Sequence, residues 1–210
     1  MFAAGYKRSF ALLAAALMGG CGWPGGGFQA SGAEMPRLTQ ALELKSGMAV
    51  ADVGAGKGQL TFALARAVGS AGQVYSSELD PARLRALREA LAQGKLGNVT
   101  VVEAKVSETG LPAGCCDAIV LRRVYHHLTD PAAINASLLR ALRPGGVLAV
   151  IDLPPPSFFP DRSALGVAPQ LVIDEVKASG FELLKLHSDW PGRGPLNSYC
   201  ALFRKAASAQ

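Results

Sequence analysis

A short apolar run, Met48-Ala-Val-Ala-Asp52-Val53, gives way to glycines at alternate positions in Gly54-Ala-Gly56-Lys-Gly58. Directly after it, Leu60, Leu64, Ala67 and Val68 fall at i, i+4, i+7 and i+8, the spacing of one helical face. A strand that turns tightly into an amphipathic helix buries both partners only by laying the helix on a sheet. The rest of the chain repeats that alternation. Residues 72–77 form a second strand; Asp80-Pro81 then caps and opens a helix with Leu84, Leu87 and Leu91 on its buried stripe. Residues 99–103 and 117–121 are further strands. Asp130-Pro131 opens a helix carrying Ile134, Leu138 and Leu142, which stops at Pro144-Gly145-Gly146 before a strand over 147–153. A helix ending at Gly180 leads to strands over 181–186 and 198–203. Strands and helices in strict alternation predict an α/β fold, a doubly wound parallel sheet covered on both faces. In such sheets ligands bind at the carboxyl ends of the strands, where the strand order reverses.

Composition agrees with one full-sized core. Of 210 residues 50% are hydrophobic and 18% charged, too little charge for a disordered chain. The net charge of +5 suits anionic partners, but the basic residues are dispersed and form no block of the nucleic-acid-tail kind. The four cysteines show no CxxC or Cys/His spacing, which disfavours a disulfide scaffold and a metal site alike.

The N-terminal stretch has a different character. Lys7-Arg8 precede an apolar run over 9–18, and Gly19-Gly20 lead to Cys21. A run of about ten residues cannot cross a ~30 Å bilayer core, but it has the layout of an export signal. Leu17-Met18-Gly19-Gly20-Cys21 resembles a bacterial lipoprotein signal. The resemblance implies that residues 1–20 are removed and that lipidated Cys21 anchors an exported, membrane-tethered protein, a cytoplasmic protein being the alternative. Residues 21–33, rich in Gly and Pro, read as a flexible tether, and the folded domain is expected over 34–206.

The ligand of the glycine loop can be narrowed by elimination. A dinucleotide loop, G-x-G-x-x-G, is not completed, and a P-loop needs Ser or Thr where Lys57 is followed by Gly58. An acid before G-x-G-x-G, with a second acid ending the next strand, resembles the paired motifs of class I S-adenosylmethionine-dependent methyltransferases. Asp52 and Glu78 are those acids. Asp80-Pro81, the turn 111–117 and Leu142-Arg-Pro144-Gly145-Gly146 extend the resemblance over residues 35–205. It implies a Rossmann-like, seven-stranded, mostly parallel sheet with an antiparallel last strand, and S-adenosylmethionine as cofactor. Gly54, Ala55, Gly56 and Gly58 would pass beneath the cofactor, with Asp52 facing its ammonium and Glu78 accepting from both ribose hydroxyls. Leu79 would pack on adenine, and Arg122 would border the cofactor. Where the family usually has an acid for the adenine amino group, this chain has Lys105, which cannot accept, so the Val106 backbone takes that place.

The segment Arg122-Arg123-Val-Tyr125-His126-His127-Leu128 resembles the His-His-Leu stretch of small-molecule and quinone methyltransferases. It implies that Tyr125, His126 or His127 orients or deprotonates a small-molecule acceptor; packing in the sheet crevice is the structural alternative. Metal-assisted catechol-type transfer needs an Asp-Asn pair that is missing here. Residues 56–61 also resemble the first motif of ribosomal-RNA adenine dimethylases. Those enzymes need a polar-Pro-Pro-aromatic motif after the fourth strand, where this chain reads Leu121-Arg122-Arg123-Val124. Asp152-Leu153-Pro154-Pro155-Pro156 imitates that motif but follows the fifth strand, so RNA is the lesser alternative. A non-catalytic S-adenosylmethionine-binding module is the other, because an exported protein meets little cofactor. The stretch 154–169 is too short for a cap domain, so an open or shallowly lidded pocket is expected.

Overall fold

The computed structural model describes residues 33–94, 96–158, 161–191 and 198–207; the signal-like segment and Cys21 lie outside them. Strand β1 (Ala49–Val53) is buried at every position, as a central parallel strand covered on both faces must be. Beside it stand β2 (Gln73–Glu78) and β3 (Val99–Glu103) on one side, and β4 (Cys116–Arg122) and β5 (Leu142–Asp152) on the other. A small hairpin, β6 (Arg162–Ser163) and β7 (Gly166–Val167), precedes β8 (Phe181–Trp190) and β9 (Ser198–Lys205). The main sheet has seven strands in the order β3-β2-β1-β4-β5-β9-β8. All its pairs are parallel except those of β9, which runs antiparallel to both β5 and β8. This is the Rossmann-like sheet with an antiparallel last strand expected from the sequence.

Helix α2 (Gln59–Val68) has the bounds its apolar spacing predicts, with Leu60, Leu64 and Val68 buried. Helices α3 (Pro81–Gly94) and α4 (Pro131–Ala141) start where their Asp-Pro pairs signal. Asp80 accepts from the Arg83 amide at 2.8 Å and Asp130 from the Ala133 amide at 3.0 Å. Leu142 does not end α4. It opens β5 opposite Cys116, and Pro144 to Gly146 are absorbed into that strand where its register shifts. Helices α1 (Glu34–Ala41) and α2 cover one face of the sheet, with Leu38, Leu64, Val120 and Trp190 in that core. Helices α4 and α5 (Pro169–Ala178) cover the other, with Leu138, Val172, Ile119 and Phe203. The strand order reverses between β1 and β4, so a crevice opens at their carboxyl ends.

Candidate active site

The loop leaving β1 is tied to the end of β2: the amides of Gly54 and Ala55 both donate to the Ser77 carbonyl, at 2.8 and 3.0 Å. Its three glycines serve different ends. A Cβ at Gly54 would run into Val124, and one at Gly58 would lie 2.5 Å from Leu87 of α3. Gly58 is thus a packing glycine between α2 and α3, and it is not in the cavity wall, contrary to its expected place beneath the cofactor. Gly56 is the open one. It has φ +56°, a Cβ there would meet nothing within 4 Å, and it faces the cavity.

Two buried acids flank this loop. Glu78 accepts from the amides of Gly56 at 2.7 Å, Leu79 at 2.9 Å and Asp80 at 3.0 Å. A carboxylate has about four acceptor sites, so the loop already uses most of them. Accepting from both ribose hydroxyls, as expected from the sequence, therefore requires releasing one of these amides. Asp52 accepts from the Thr61 hydroxyl at 2.7 Å, and Thr61 in turn meets Ser76 at 2.8 Å. Burial pushes the Asp52 carboxyl up to about 6, opposed by the Thr61 hydrogen bond and the Arg122 charge. Arg122 is itself paired with Glu34 of α1 at 3.2 Å.

Across the crevice, the chain leaving β4 turns sharply at Arg123, which has φ +58° and donates its amide to the Ile151 carbonyl at 2.7 Å. A 3-10 turn (Tyr125–His127) follows. His126 Nδ1 lies 2.7 Å from Asp152 Oδ1, and the His126 amide donates to Asp152 Oδ2 at 3.1 Å. Asp152 ends β5 and is fully buried. With Nδ1 turned to a carboxylate, the neutral ring presents Nε2 as its acceptor. His127 stacks at 3.9 Å between ring centroids, and its basicity is lowered by burial and then by the charges of His126 and Arg83. Tyr125 is different. It is buried in the core, its hydroxyl accepts from Asn135 Nδ2 at 2.8 Å, and burial raises its pKa well above that of a free phenol. Tyr125 does not reach the cavity, which removes it from the candidate catalytic groups.

Several of these residues, though not Glu78, line one cavity of about 610 Å³, within the roughly 300–1,000 Å³ range of small-molecule sites. Asp52, Gly54, Ala55 and Gly56 from the β1 end and Arg122, His126 and His127 from the β4 end line it. The β6–β7 hairpin adds Ala164 and Leu165, a wall the sequence does not announce. Leu79 and Val106 stand outside, 49% and 60% exposed just past the ends of β2 and β3. Lys105 points to Glu108 at 4.0 Å. Sequence reasoning missed Asp152, set aside as part of an imitation motif, and the Asn135 partner of Tyr125. The donor set fits S-adenosylmethionine: an open glycine for close backbone approach, with a buried carboxylate on either side of it.

Comparison with known proteins agrees. Residues 51–150 match the family described as "Methyltransferase domain". The ubiquinone/menaquinone biosynthesis C-methyltransferase UbiE of Marinomonas sp. is 35% identical over 114 residues, covering 54% of this chain and 45% of that protein. The chain thus spans about half the length of the curated relatives it matches. Among solved structures, a SAM-dependent methyltransferase from Aquifex aeolicus superimposes with a TM-score of 0.71 at 22% identity, covering 81% of this chain and 89% of that one. The [4+2]-cyclase SpnF does so with a TM-score of 0.70 at 17% identity, covering 83% and 81%. Over residues 51–150 the chain matches the methyltransferase-domain model, and its fold is that of S-adenosylmethionine-dependent methyltransferases.

Proposed function

We propose that this protein methylates a small-molecule acceptor, at carbon, with His126 as the proton-accepting group. The observation that carries the reading is the placement of His126, held by Asp152, in one cavity with the open Gly56 loop. When bound, S-adenosylmethionine supplies an activated methyl on a sulfonium. The chain's own groups do the rest. Asp52 offers a counter-charge to the cofactor's ammonium, Glu78 an acceptor for its ribose, and Leu79 and Val106 a surface for adenine, with Arg122 at the border. His126 Nε2 takes the proton that an acceptor carbon must lose, and Asp152 holds the tautomer and stabilises the imidazolium. Leu165 and Ala164 add apolar surface to the cavity. The carbon acceptor is suggested by the C-methyltransferase relatives.

Labelled-methyl transfer into a metabolite extract tests the reading. His126→Asn and Asp152→Asn should keep S-adenosylhomocysteine affinity and lose roughly 10²–10⁴-fold in turnover. Full turnover in both would remove the base. A second reading, a module that binds the cofactor without methyl transfer, is favoured by the cyclase with the same fold. It predicts binding with no labelled product. For location, the signal-like segment supports a lipidated Cys21 and a tether over 21–33 holding the domain 34–206 at a membrane.

A further inference from the structure

We propose that the methyl acceptor is an organic anion: an apolar body bearing a carboxylate that the cavity's basic groups hold. The inference rests on the methyltransferase reading and names the chemical class of its acceptor. The cavity wall carries Lys57, Arg83, Arg122 and Arg123, with His126 and His127, against the acid Asp52. Arg122 is met by Glu34. Among the described residues, neither the Lys57 ammonium nor the Arg83 guanidinium is in an ion pair. The two reach the cavity from different elements, Lys57 from the loop after β1 and Arg83 from the first turn of α3. Side chains from separate elements that converge without an acidic partner leave positive charge to be compensated from outside. The effect already reaches the histidines, since the Arg83 charge contributes to the lowered basicity of His127.

The cofactor does not supply the compensation. Its sulfonium adds one positive charge to a zwitterionic amino-acid tail, so cavity and cofactor together favour an anion. A cleft lined by one sign of charge focuses its field on the entering ligand, and guanidinium meets carboxylate through paired, charge-assisted hydrogen bonds. The same cavity has an apolar lining in Leu153, Ala164 and Leu165, the last 55% exposed on the hairpin turn. An exposed leucine and unpaired cations in one cavity suit a ligand that is apolar at one end and charged at the other.

The test uses calorimetry on the full chain, first with S-adenosylhomocysteine and then, on the saturated protein, with 2-naphthoate or its neutral counterpart 2-naphthamide. Naphthoate should bind roughly tenfold or more tightly than naphthamide. That preference should shrink between about 50 and about 500 mM salt, and vanish in the Lys57→Gln/Arg83→Gln double variant, whose fold circular dichroism verifies. Leu165→Ala should weaken both probes alike. Equal binding of the two probes, binding of neither, or a preference that survives the double variant overturns the inference. So does competition between naphthoate and S-adenosylhomocysteine, which would assign the cations to the cofactor's own carboxylate. Failure of S-adenosylhomocysteine to bind at all is a separate result that removes the methyltransferase reading beneath it.

Discussion

At Gly58 an added methyl would press on Leu87, whereas at Gly56 it would enter open space. Gly58→Ala is therefore expected to lose about 1–3 kcal/mol of stability, read from its urea midpoint, while the folded fraction still binds S-adenosylhomocysteine. Gly56→Val meets no clash but strains the backbone at φ +56°, so it should cost stability too, and its folded fraction should lose that affinity because the side chain occupies the approach of the ligand. Binding retained in folded Gly56→Val would refute the site. Asp52 makes a second prediction. Its carboxyl titrates at about 6 in the fold against 3.8 when free, so the folded state holds the proton more tightly. That contribution to stability is full at low pH and is lost as pH rises through the folded value. Asp52→Asn should then exceed the parent above that pH, by on the order of 3 kcal/mol. The difference should close as pH falls toward 3.8. Cofactor affinity should fall in the same variant, since the counter-charge to the ammonium is gone; a gap in stability independent of pH would show that Asp52 titrates normally.

Helix α1 is tied to the sheet by two ion pairs, Glu34 to Arg122 and Arg37 to Asp189, with the Arg37 guanidinium 5.0 Å above the Trp190 ring. The first pair is nearly buried, so Glu34→Ala removes a charge-assisted hydrogen bond from a largely buried guanidinium and should cost about 2 kcal/mol. Asp189→Ala, at an exposed carboxylate, should be close to neutral. Comparable thermal shifts in the two variants would contradict that ranking. Elements with local signals are the ones the sequence announces. The apolar spacing gives α2 its bounds, the Asp-Pro pairs start α3 and α4, and the continuous apolar run makes β1. What stays hidden depends on distant partners. The two-residue strands of the β6–β7 hairpin have no periodicity to read. Asp152 gains its role only from His126, 26 residues upstream, and Gly58 only from Leu87. Tyr125 sits beside two cavity histidines in sequence, but the 3-10 turn sends it into the core.

For the molecule as a whole, Cys21→Ser is the variant that separates location from fold. If Cys21 is acylated, at ~0.8 kcal/mol per buried methylene, the wild-type protein should fractionate with membranes. The variant should be soluble or persist as an uncut precursor, with an unchanged circular dichroism spectrum. Wild-type protein found in the cytosol with its first residues retained would reject export. The place of β9 in the sheet also bears on how the chain is made. Strand β8 is synthesised before β9, yet β9 is its neighbour in the sheet and stands between it and β5. During translation β8 must wait with its backbone edge unpaired until Ser198–Lys205 clear the ribosome and slot into the gap. The nascent protein is thus most prone to aggregate in the interval before its last strand arrives. A stop codon ahead of Ser198 would remove an interior strand of the sheet, leaving β5 and β8 with nothing between them.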